Sequence, residues 1–138
     1  MVRHALLIGR WAIDFLFAED DYNVEEIIDG LQECGAPSDI IDRVVSLVNS
    51  GRNNTGFTYT DSNIYRALVV IGPTTSGSEF VNTLVHELYH LAVVIASNLG
   101  IDLESESPAY LIGDAAESLF SFICKMGCSD CRDANVYY

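Results

Sequence analysis

Between Ser76 and Gly100 the residues Phe80, Leu84, Leu88, Leu91, Ile95 and Leu99 recur at helical spacing. The same stretch carries His86, Glu87 and His90 in the pattern His-Glu-x-x-His. One rod must therefore bury an apolar stripe and present a polar cluster beside it, and that requirement constrains everything packed around it. Histidines four residues apart stand one above the other on a helix face, so both imidazoles can close on one tetrahedral cation. Glu87 then lies beside the cation without binding it. Zinc in such a place acts as a Lewis acid and lowers the pKa of water, and the glutamate takes the proton. The competing reading is an exposed helix that carries these residues by coincidence. Against it, the chain has three histidines and two of them fall here.

The helix has clear ends. Ser76 through Glu79 reads as a capping box, with Glu79 expected to bond back to the Ser76 amide, and Gly100 closes the pattern. Upstream, residues 4–17 are expected as a helix on the strength of Leu6, Leu7, Trp11 and Phe15. A second helix opens at Asn23 and closes near Gly35. A third, with Ser38 as its expected N-cap, ends at Gly51. Phe57–Thr60 alternates and Arg66–Ile71 is a short apolar run, so two hairpin-paired strands are expected before the His-Glu-x-x-His helix. A last helix is expected over residues 106–126. These elements predict an α+β fold, mostly helical, with a small β-sheet beside the His-Glu-x-x-His helix. All 138 residues are expected in one domain, with a helical part over about 1–51 and the strands and metal-binding helices over about 56–126.

Seven basic residues against twenty acidic ones give a net charge of −13, which repels nucleic acid and anionic membrane and removes both as expected partners. A cationic partner or substrate is compatible with that charge. Arg10 and Asp14 interrupt the apolar N-terminal run and no small-residue cleavage site follows, so the expectation is a cytoplasmic protein without a signal peptide. No uncharged run is long enough to span a bilayer. The four cysteines, Cys34, Cys124, Cys128 and Cys131, are too few and too clustered for a secreted disulfide scaffold. Reduced thiols are expected, because their spacing matches no established zinc pattern.

A catalytic zinc requires a third protein ligand and one open position. His4 is the only other histidine and is remote in sequence, and no further histidine follows the motif closely. A carboxylate must serve, and Asp102, Glu104, Glu106, Asp114 and Glu117 are the downstream candidates.

A helical HExxH followed by a glutamate is similar to the gluzincin class of zinc metallopeptidases. More narrowly, T-L-V-H-E-L-Y-H-L followed by S-E-S-P-A-Y-L-I-G resembles small peptidases encoded by gut bacteria and their phages. The V-V-I-G strand and the S-G-S-E-F cap share in the resemblance, which covers roughly Gly56 to Leu119; only HExxH is strongly specific. In that group a glutamate recurs three residues before Ala-Tyr-Leu, a position held here by Glu106 ahead of Ala109, Tyr110 and Leu111. The resemblance implies a zincin-like domain, zinc held by His86, His90 and Glu106, Glu87 as general base, and peptide or protein as substrate. The position four residues after Glu106, where larger members often have an aspartate, is Tyr110. Tyr110 is open to two roles, an oxyanion donor or a packed core residue.

Helix chemistry is compatible with Glu106. If Ser105 caps the last helix, Glu106 begins it at the end that favours a carboxylate, and Pro108 falls in the first turn. Glu117 lies roughly 16 Å further along that axis, so the two cannot serve one cation. Two other classes remain beside a peptidase: a metal-dependent hydrolase of a non-peptide substrate, and a zinc-binding interaction protein without catalysis.

Overall fold

The structure, a computed structural model, describes residues 1–18, 21–51 and 56–127. Among these the fold is α+β, with five helices and a four-stranded mixed sheet. The chain divides into two compact units at Pro73–Thr74.

The first unit holds β1 (Val2–Ile8), β2 (Trp11–Phe17), α1 (Val24–Glu33), α2 (Ser38–Asn49), β3 (Gly56–Asp61) and β4 (Arg66–Ile71). Residues 4–17, expected as a helix, are instead an antiparallel hairpin in register from Val2↔Phe17 to Ile8↔Trp11. Gly9, at φ +57°, takes the left-handed position that a two-residue hairpin turn needs. The physical reason lies in β2. Its burial is nearly continuous along W-A-I-D-F-L-F, the pattern of a strand covered on both faces, and a helical template fits such a run as well as a strand template does. The expected helical part over 1–51 therefore holds two strands as well as two helices.

Strand order is β1-β2-β4-β3, with β2 and β4 parallel and the other pairs antiparallel. The expected β3–β4 hairpin is present, but inside a larger sheet. One face carries Leu16, Leu68 and Val70, which pack with Ile27, Leu31 and Cys34 of α1 and its cap. Contact there is close: a Cβ on Gly30 would come within 3.1 Å of the Leu68 methyl carbons. From α2, Ile41, Val44 and Val48 pack against the same cluster. The opposite face, Trp11, Ile13, Phe15, Phe17, Ala67, Val69 and Ile71, is buried as well. Asp14 is the buried carboxylate of the sheet; its Oδ2 accepts from Arg3 at 2.9 Å and faces Arg66 at 3.5 Å, and Glu33 completes the cluster.

The second unit, residues 74–138, holds α3 (Gly77–Asn98), α4 (Ser107–Ser118) and α5 (Phe120–Gly127), with α3 packed on both shorter helices. The single helix expected over 106–126 is broken at Leu119. Leu119 leaves the helical region at φ −95°, ψ 7°, and its amide is shared between the Ala115 and Ala116 carbonyls. Ser105 does not cap α4: its hydroxyl donates to the Asp102 carbonyl, and Glu106 occupies the N-cap position without a side-chain cap bond. Similarly Ser38 is the first residue of α2, and Pro37 precedes it.

Candidate metal centre

α3 begins as its sequence dictates. The Ser76 hydroxyl accepts the Glu79 amide at 3.1 Å. The return bond goes one residue further back than expected, because the Glu79 carboxylate takes the Thr75 amide at 2.8 Å and also the Thr75 hydroxyl. These two donors lower the Glu79 pKa. At the other end Gly100 sits at φ +69°, Ile101 N–H donates to Ala96 and Gly100 N–H to Ser97, which is the Schellman closure. Both ends are thus fixed, and the three motif residues lie in the middle of the rod.

His86 and His90 are exposed, and their Nε2 atoms converge to 3.0 Å, with ring centroids 4.6 Å apart and planes at 76°. Two nitrogens bound to one tetrahedral zinc at ~2.0–2.1 Å stand about 3.3–3.4 Å apart, so a shift of a few tenths of an ångström fits this pair to the ion. A cation at this point would take the place of the hydrogen bond between the two nitrogens.

Glu87 differs from its neighbours. It stands about 100° around the helix from His86 and is only 5% exposed. Thr83, one turn before it, is also 5% exposed. With Asp14 in the sheet they are the buried polar residues among those described. The expected apolar stripe is buried through Phe80, Leu84, Leu88, Leu91 and Ile95, while Leu99 emerges at the helix end.

The downstream carboxylates do not gather on the imidazoles. Among the described residues no three His, Cys, Asp or Glu side chains form a group able to hold a metal ion. Glu106 is exposed at the start of α4, and Glu104, Asp114 and Glu117 are exposed as well. Asp102 shapes the turn before α4, its Oδ1 accepting the Glu104 amide at 3.0 Å. Tyr110 is exposed, which removes the packed-core role weighed for it. His4 belongs to β1 in the first unit. The fit to zinc is therefore that of two donors, with the third not assembled.

Two exposed neighbours of the histidines escaped the sequence reading. Val85 and Tyr89 flank them, and the Tyr89 ring centroid is 6.3 Å from that of His90. Their signal was available: Val81, Val85 and Tyr89 repeat at four-residue spacing beside the buried stripe. A cleft of about 280 Å³ in the first unit, lined by Arg3, Leu16, Glu26, Asp29, Gln32 and Glu33, contains none of the motif residues.

Cys34 is buried and Cys124 exposed, both as free thiols; Cys128 and Cys131, the remainder of the cysteine cluster, lie outside the described residues. By length and composition α3 alone among the described helices could cross a membrane, and it carries Glu79, His86, Glu87 and His90. No protein-family model matches the chain, and no curated protein or solved structure matches it.

Proposed function

We infer that the protein is a zinc-dependent hydrolase, a small metallopeptidase of zincin-like, gluzincin-type organisation working in the cytoplasm. The observation that carries this reading is the 3.0 Å convergence of His86 and His90 Nε2 on the open face of a helix that also holds Glu87. His86 and His90 would hold the ion, with Glu106 as the third donor by its resemblance to the recurring glutamate. Zinc so held supplies Lewis acidity and water of lowered pKa. Glu87 accepts a proton from water and returns it to the leaving amine. Its burial keeps bulk water from competing for that carboxylate.

β4 is hydrogen-bonded on both sides, to β2 and to β3, so neither of its edges is open to an extended peptide. Side chains around α3 would hold the substrate.

A second reading, a zinc-binding protein without hydrolysis, draws support from Glu87 lying on the buried side while the imidazoles face outward. Metal analysis beside peptide hydrolysis separates the two. Purified protein should carry about one zinc per chain and cleave a mixed peptide library, and Glu87→Gln should keep the zinc while losing about 10²–10⁴ in rate. Zinc without cleavage selects the second reading, and cleavage of esters or amides outside peptides selects a non-peptide hydrolase. Full zinc occupancy in both His86→Ala and His90→Ala removes the site altogether.

A further inference from the structure

We propose that the exposed strip of Val81, Val85 and Tyr89 on α3 docks a cationic segment of polypeptide, and that this segment is the substrate presented to the histidine pair. The proposal rests on the hydrolase reading for its chemistry, but its docking surface is defined independently. The three side chains are 41%, 51% and 59% exposed and succeed one another every four residues, so they line one helix face. The strip extends about 12 Å along the axis, which an extended segment of roughly four residues covers. His86 and His90 are themselves exposed, and the Tyr89 ring at the end of the strip has its centroid 6.3 Å from that of His90, so a chain lying on the strip ends beside the histidine pair.

Charge decides the occupant. From Ala67 to Cys124 the sequence contains no lysine or arginine, while Asp102, Glu104, Glu106, Asp114 and Glu117 of the same unit are exposed carboxylates. A second copy of the chain, itself at −13, would be repelled by such a surface, and an acidic peptide equally so. A segment with lysine or arginine next to apolar side chains meets both features. Tyr89 adds a specific contact, since an exposed aromatic face attracts an ammonium or guanidinium group. The carboxylates set the encounter rate and the sign of the partner, and the apolar strip sets where it rests.

The test uses the full chain and two labelled hexapeptides, one alternating lysine with leucine and one alternating glutamate with leucine, read by fluorescence anisotropy. The lysine peptide should bind at least tenfold more tightly than the glutamate peptide. Tyr89→Ser and Val85→Ser should each weaken it at least fivefold, whereas Leu7→Ser, a more exposed apolar site on β1, should leave it unchanged. Equal affinity for both peptides, or indifference to Tyr89→Ser and Val85→Ser, overturns the proposal. So does a concentration-dependent dimer in sedimentation that Val85→Ser dissociates, because a second copy then covers the strip. His86→Ala separates this idea from the hydrolase reading: selective binding that survives in that variant, with wild-type protein lacking zinc or cleavage, supports the docking strip and removes the enzyme.

Discussion

His86 and His90 illustrate how little a converging histidine pair needs from the rest of a chain. Helical spacing alone brings their Nε2 atoms to 3.0 Å, so removing either imidazole should abolish zinc uptake while leaving α3 folded, as circular dichroism would report. Cys34 is governed instead by burial, which pushes its thiol from an ordinary 9.0 up to about 11. The native thiol should thus resist iodoacetamide at pH 8 while exposed Cys124 reacts, and denaturation should equalise them. The same shift has a pH consequence. The unfolded chain releases this proton first, so the stability it contributes is complete below pH 9 and is lost as pH rises from 9 toward 11. Gly72 is fixed by a neighbour: a Cβ there would intrude on the hydroxyl and ring of Tyr22. Gly72→Ala should destabilise the protein by about 1–3 kcal/mol in denaturant titration. Combining it with Tyr22→Ala should give less than the sum of the two losses.

At the scale of elements, legibility followed periodicity. α3 was readable from its 22 residues because stripe, cap and terminating glycine all agree, and α1 because Asn23 and Gly35 bracket it. β2 was not, since a strand buried on both faces loses the alternation that marks strands. The break at Leu119 is a change in one residue's backbone dihedrals, which spacing does not record. In the candidate site, the convergence of the two imidazoles on one helix face was legible from their spacing, but the burial of Glu87 against the exposure of its neighbours depends on which arc of α3 is covered. The ion cluster was equally hidden. It links β1, β2, β4 and α1 through Arg3, Asp14, Arg66 and Glu33, residues far apart in sequence. Asp14→Asn leaves two guanidinium groups facing one carboxylate. It should lower stability by about 2–3 kcal/mol, less than the ~3–5 kcal/mol of a fully buried pair because Arg3 is half exposed. A loss below ~0.5 kcal/mol would mean that solvent already screens the cluster.

The whole molecule is strongly acidic, and its five arginines before residue 67 contrast with the stretch from Ala67 to Cys124, which has no lysine or arginine. Added salt should therefore stabilise the protein by screening self-repulsion, visible as a rise in Tm between 20 and about 300 mM sodium chloride. A fall would mean that the Arg3–Asp14–Arg66–Glu33 cluster outweighs the repulsion. The parallel seam between β2 and β4 carries a different consequence, one of time. Its partners, from Ala12↔Arg66 to Phe17↔Ile71, lie about fifty positions apart, while the β1–β2 and β3–β4 hairpins close locally. The hairpins can form within microseconds, but the seam must await everything between them. During synthesis the first hairpin consequently leaves the ribosome with the inner edge of β2 bare, and it stays so until Ile71 has emerged.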